Sequence, residues 1–131
     1  MEYTIVIPRP VYLLSPNARA HWWSVCKARR RARSAAQILA RAEWGSNAPA
    51  WKKANVTHHW VMPTRAYHPD PDNAQASLKA WFDGFADWGI VENDKNLIPF
   101  WGGLQVTKLF ERNGEAWPRG CVVLTFREVT T

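Results

Sequence analysis

A chain of 131 residues fits one compact domain, because two cores of half that size would each be marginal. Hydrophobic residues at 47% and aromatics at 13% exclude a disordered chain, and the lack of any run approaching about 20 apolar residues excludes a membrane-spanning helix. The net charge of +6 is segregated, with nine basic residues against Glu43 alone between Arg19 and Lys53, a local +8 that suits a polyanion and leaves −2 for the rest.

Cys26 and Cys121 stand far apart without metal-type spacing, and no N-terminal segment reads as a signal peptide, so free thiols in a reducing cytoplasm are expected. In chain order, Tyr3 to Ile7 is a β-branched run closed by Pro8 and Pro10, which cannot donate to a sheet ladder, and it predicts a first strand. Ser15, Pro16 and Asn17 carry turn chemistry and lead into Arg19, His21, Trp22 and Trp23, read as an exposed cationic and aromatic loop. From about Ser24 to Trp44 the spacing of Ala28, Ala32, Ala35, Leu39 and Ala42 is helical. At about 100° per residue Lys27, Arg30, Arg33 and Arg41 fall on the opposite, basic face. Gly45 to Pro49 breaks the pattern, and Val56 to Val61 predicts a second strand. A helix is expected over Asn73 to Trp88 with Gly89 as its C-cap. Strands at Leu104 to Phe110 and Cys121 to Phe126 follow, joined as a long-looped hairpin around Asn113 and Gly114. The expected fold is a single α/β domain of α+β type, a small mixed sheet of about four strands with two main helices.

The chemistry concentrates in His68-Pro69-Asp70-Pro71-Asp72-Asn73. Pro71 pushes Asp70 out of the α region, so in an extended stretch both carboxylates can point to one side as a pair of hard oxygen ligands for Mg²⁺. Asp72, three residues before Gln75, also reads as a helix N-cap. An EF-hand-type calcium loop does not fit, since Gln75 takes the glycine position and Trp81 the final acid. Along the following helix Leu78, Trp81, Phe82 and Phe85 make an apolar stripe, with Asp72, Lys79, Asp83 and Asp87 opposite. Lys79 is either a surface partner of Asp83 or a cation for developing phosphate charge, and Glu92-Asn93-Asp94 adds acids in the next loop.

Taken in order, Ser15-Pro16-Asn17, Arg19, His21-Trp22, Asp70-Pro71-Asp72-Asn73, Lys79, Asp83, Gly89 and Asp94-Lys95 resemble the RusA family of Holliday junction resolvases, over residues 3 to about 97. The resemblance implies a homodimeric endodeoxyribonuclease of phages and prophages, dependent on Mg²⁺ with Mn²⁺ as a substitute, that resolves four-way DNA junctions by paired nicks. It maps the catalytic set onto Asp70, Asp72, Lys79 and Asp94, with Asp70, Asp72 and Asp94 as metal ligands. Two departures stand out. Pro69 replaces the basic residue that often precedes the D-x-D-N motif, so a phosphate contact is either missing or supplied by Arg65. Lys79 follows Asp72 by seven residues where many members have four, and both spacings reach one helix face.

The candidate DNA contacts are Asn17, Arg19, His21, Lys27, Arg30, Arg33 and Arg65. Two other readings of the same residues are a non-catalytic DNA-binding or phage assembly module, with Arg29 to Arg33 on phosphates and structural acids, and a nuclease of flaps or single strands. Helix length bears on Asp94: Asn73 to Trp88 spans about 24 Å, so Asp94 either folds back or lies near a two-fold axis, where the extreme case is a site shared between protomers.

Overall fold

The β-branched run at the start of the chain forms β1 (Glu2–Pro8), whose Ile5 and Ile7 point into the core. This computed structural model describes residues 1–64, 70–107, 110–112 and 114–130, so Arg65, His68, Pro69 and Asn113 lie outside the described residues. After a single 3-10 turn at Tyr12–Leu14 come α1 (Trp22–Trp44), β2 (Ala54–Met62), α2 (Pro71–Ser77), α3 (Lys79–Trp88) and β3 (Leu97–Val106). A two-residue ribbon of β4 (Glu111–Arg112) and β5 (Glu115–Ala116) then leads to β6 (Cys121–Glu128).

The four long strands make one mixed sheet in the order β1-β6-β2-β3. β6 is antiparallel to both β1 and β2, whereas β2 and β3 run parallel, Ala54 opposite Leu97 and Met62 opposite Val106. A parallel pair needs a crossover, and α2 and α3 supply it. This corrects the expected hairpin of the last two long strands: β6 inserts between β1 and β2, and β3 lies at the far edge. β3 also starts at Leu97, seven residues before the expected Leu104. Pro99 is tolerated there because an edge strand leaves one row of N–H groups unpaired, and Gly102 and Gly103 absorb a bulge opposite His58 and His59.

α1 is two residues longer at its start than expected, and His21 caps it by accepting the Trp23 N–H on Nδ1 at 3.3 Å. Its buried line is Ala28, Ala32, Ala36 and Ala40; Ala35 and Leu39 are half-buried and Ala42 is exposed. The small side chains let α3 approach so closely that a Cβ on Gly84 would stand 2.2 Å from the Arg33 carbonyl oxygen and 2.5 Å from Ala36 Cβ. The apolar stripe of Leu78, Trp81, Phe82 and Phe85 is buried as expected, and Gly89 caps α3 with φ of 110°. The expected single helix from Asn73 is two. It starts at Pro71 and breaks at Leu78, where the buried Ser77 hydroxyl donates back to the Ala74 carbonyl at 2.7 Å and the Leu78 N–H bonds Gln75 O, one residue short of the α pattern.

The core lies between this helical layer and the inward residues of β1, β2 and β6, among them Val56, Trp60, Leu124 and Phe126. At the end where β1 begins, Tyr3, Trp44, Trp51 and Trp88 pack ring against ring. Both cysteines are free, and burial pushes the Cys121 thiol up to about 11. No helix among the described residues is long and apolar enough to cross a membrane.

Candidate functional site

Proline at the first helical position makes Asp70, rather than Asp72, the N-cap of α2. Asp70 sits at φ −74° and ψ 154° and accepts on Oδ1 from the Asp72 N–H at 3.0 Å and the Asn73 N–H at 3.1 Å. Its Oδ2 accepts from Asn73 Nδ2 at 2.7 Å. The Asp-Pro-Asp stretch is thus not extended throughout: Asp72 already belongs to the first helical turn. The Asp72 side chain is exposed and makes no hydrogen bond or ion pair with a described residue. The cap fixes the Asp70 carboxylate and uses both lone pairs of Oδ1, leaving spare capacity on Oδ2 alone.

Asp70 and Asn73 line a groove of about 930 Å³ together with Asn17 from the distant Ser15–Asn17 turn. Trp60, Met62 and Ser77 also line it, as do Arg9, Tyr12, Trp117 and Arg119. Two segments of the resemblance, more than fifty residues apart, therefore meet. Ser77 also lines a second groove of about 530 Å³, so the two adjoin. The second groove carries Arg29, Arg30, Arg33, Lys79 and Asp83. Lys79 Nζ donates to Asp83 Oδ1 at 3.0 Å across one turn of α3, and its side chain remains 75% exposed.

The basic residues of α1 divide into two roles. Lys27 and Arg30 are exposed, as is Arg19 in the preceding loop. Arg33, about 100° around the helix from buried Ala32, faces α3 instead and grips Asp87 with Nε and with Nη2, the latter 2.8 Å from Oδ1. This fork holds the Asp87 carboxyl below the ordinary carboxylate range against partial burial, with Gln37 adding to it, and raises Arg33 in turn. Arg33 is an interhelical clamp that spends two of its five donors on Asp87.

Asp94 lies in a 3-10 turn, Asp94–Asn96, which Asn93 caps by accepting the Lys95 N–H at 3.1 Å. That turn leads directly into Leu97, at the Ala54 end of the parallel pair, whereas Asp70 lines a groove with Met62 and Gly120 at the other end. Eight strand rises of about 3.3 Å put roughly 26 Å between those ends. Asp70 and Asp72 are chain neighbours at the start of α2, with Asp70 alone of the two lining the groove, and Asp94 belongs to the opposite end of the β2–β3 pair. Asp94 instead lies within electrostatic reach of Arg33. Among the described residues no three of His, Cys, Asp and Glu stand close enough to share an ion. Mg²⁺ makes a smaller demand, one or two carboxylates with water and phosphate completing its octahedron.

Sequence reasoning missed Arg9, Tyr12, Trp117 and Arg119. The available signal was the punctuation around the two arginines, Pro8-Arg9-Pro10 and Pro118-Arg119-Gly120, which puts a cation in a turn. It also missed His58, fully buried on β2 beneath α2. Its Nδ1 accepts from Trp60 Nε1 at 3.0 Å, which leaves the ring proton on Nε2. Burial pushes the imidazole below its ordinary value, the nearby Gln75 side chain opposing it, and Nε2 makes no hydrogen bond of ordinary geometry.

No family model matches the chain. An uncharacterised protein of Xylella fastidiosa is 40% identical over 86 residues, covering 64% of this chain and 56% of the relative, so the chain spans little more than half of that protein's length.

Proposed function

We propose that this chain is a cytoplasmic, Mg²⁺-dependent endonuclease of branched DNA that acts as a homodimer. The observation that carries the reading is the convergence of Asn17 with Asp70 and Asn73 in one groove, adjoining a second groove lined by Arg29, Arg30 and Lys79. Carboxylates beside a cationic track are what phosphodiester hydrolysis requires of a protein.

Asp70 and Asp72 would hold the ion, Asp70 from a position fixed by the cap. Bound there, Mg²⁺ supplies a Lewis acid for the phosphate and lowers the pKa of an attacking water. Arg29 and Arg30 hold the strand by its phosphates. Lys79 can leave Asp83 for a phosphate at little cost, since exposed i, i+4 pairs are weak. Asp94, which belongs to the opposite end of the β2–β3 pair in its own protomer, would join across a two-fold axis, so a complete site would contain Asp70 and Asp72 of one protomer and the partner's Asp94.

The test is cleavage of a labelled four-way junction with and without Mg²⁺, with linear duplex as control. Mg²⁺-dependent paired nicks are expected, lost in Asp70→Asn and in Asp72→Asn with binding retained. Mixing Asp70→Asn with Asp94→Asn protomers separates the arrangements. A shared site leaves one intact site per mixed dimer and nicking returns, whereas proven heterodimers without nicking rule out sharing. Mg²⁺-dependent cuts confined to flaps or single strands would keep the nuclease and change its substrate.

A specific observation also favours a second reading, a DNA-binding module without catalysis: the Asp70, Asp83 and Asp87 carboxylates are all engaged in caps or ion pairs. Salt-sensitive junction binding with no cleavage under any divalent cation would select it.

A further inference from the structure

Trp51, Trp60 and Trp81 are no more than 6% exposed, while Trp22 and Trp23 are 65% and 63% exposed. Two adjacent tryptophans left in water forgo a large apolar gain, since burial of such a ring dominates core energetics. They are also held. The rings meet edge to face with centroids 4.8 Å apart and planes at 65°, so each limits the other's rotation. Their backbone is the first turn of α1, pinned by His21, which accepts from the Trp23 N–H on its ring and from the Ser24 and Val25 N–H groups on its carbonyl.

Charge identifies the partner. No acidic residue occurs from Tyr3 to Ala42, and Arg19 precedes and Lys27 follows the pair, both exposed. The ledge also stands at the Asp70 end of the molecule. Tyr12, 65% exposed and lining the Asp70 groove, donates its hydroxyl to the Asn17 carbonyl at 3.1 Å, and five residues later the chain reaches Trp22. Rigid aromatic faces flanked by cations suit a strand whose phosphates are neutralised while its bases stack on the rings. In an intact duplex the base faces are hidden within the stack, so only unpaired bases offer them.

We infer that the Trp22–Trp23 ledge binds unpaired nucleobases of DNA held along α1. This rests on the DNA-binding part of the function proposed above and not on its catalysis.

The experiment measures anisotropy of a labelled 15-nucleotide oligo-dT and of a labelled unbranched duplex, without divalent cation, for the full chain and its variants. Trp22→Ala and Trp23→Ala should each weaken oligo-dT binding about 5- to 100-fold, and phenylalanine at either position should restore most of it. Duplex affinity should stay within about 2-fold with an unchanged salt slope, because neither tryptophan neutralises a phosphate. Both side chains are exposed, so the folded state survives, and unchanged circular dichroism checks this. Equal loss on both DNAs, or no loss on oligo-dT, overturns the inference. So does a wild-type chain that binds duplex but not oligo-dT. A change of sedimentation mass in the alanine variants without loss of oligo-dT binding reassigns the ledge to an interface between copies. A wild-type chain that binds neither DNA removes the DNA reading itself and this inference with it.

Discussion

Gly84→Ala tests how the two long helices meet. The new Cβ would stand 2.2 Å from Arg33 O and 2.5 Å from Ala36 Cβ, where relaxed contacts lie at about 3.5 to 4.0 Å. Neither obstructing atom can rotate away, one being main chain and the other a methyl fixed to it, so α1 and α3 must part by about 1 Å or more. Overpacking of this kind costs about 1 to 3 kcal/mol, and the absence of a yielding side chain argues for the upper end. Alanine recovers about 1 kcal/mol over glycine within a helix, leaving a net loss of about 2 kcal/mol. For a chain of this size that corresponds to a fall in Tm of about 7 °C. Thermal melts and urea titrations followed by far-ultraviolet circular dichroism measure it, with a lower midpoint and an unchanged m-value expected. Ala36→Gly in the same chain should recover only a minor part, because Arg33 O, the nearer obstacle, remains. A variant as stable as the parent or more so would refute the close crossing, since propensity would then be acting alone.

Three further outcomes separate structural from functional roles. Asp70→Ala should cost about 1 kcal/mol through the lost cap, whereas Asp72→Ala should cost only a few tenths; equal losses by chemical denaturation would refute the capping assignment. Arg29→Ala and Arg30→Ala should each flatten the slope of log affinity against log salt by about one unit for each phosphate no longer neutralised, without changing stability. Arg33→Ala should lower stability by less than about 1 kcal/mol, because the pair is partly exposed at 52% and 28%, and should leave the slope alone. For His58, whose folded value is lowered, the unfolded chain takes up the proton first as pH falls through about 6.5. Stability should then decline by at most about 1.4 kcal/mol per pH unit until the folded ring also titrates, and His58→Gln should remove that dependence; an unchanged profile would show that another group carries it.

What was legible in the sequence follows from local physics. β1, β2 and β6 were readable because β-branched runs ended at proline or turn residues, and α3 because its apolar residues recur at helical spacing before Gly89. The first seven residues of β3 were not, because Pro99, Gly102 and Gly103 read as breakers unless the strand is known to lie at an edge and to carry a bulge. The order of the sheet was not either, since nothing local says that the last strand enters between the first two. At the candidate site the motif acids were visible, but the cap falls to Asp72 unless Pro71 is placed in the first helical turn. The Arg33–Asp87 clamp joins residues 54 apart in sequence, beyond any spacing rule, so Arg33 looked like one more cation on a basic face.

The crossover topology decides where chemistry can be assembled. Asp70 and Asp72 open the helical return from β2 and Asp94 closes it, so the parallel pairing of β2 with β3 sends them to opposite ends of the sheet. A shorter loop would not reunite them, because the separation is set by the length of β2 and not by the connection. The basic face of α1 lies between the two ends. Lys27 to Arg41 covers about 21 Å, close to six base pairs of duplex. Under the proposed function, chemistry that needs only two carboxylates would proceed at the Asp70 end of one protomer, beside the Trp22–Trp23 ledge. Chemistry that needs all three must set the Asp70 end of one copy against the Asp94 end of another. A two-fold axis does this twice at once, since an isologous interface repeats every pairing in reverse, and the two resulting sites would each face a basic helix.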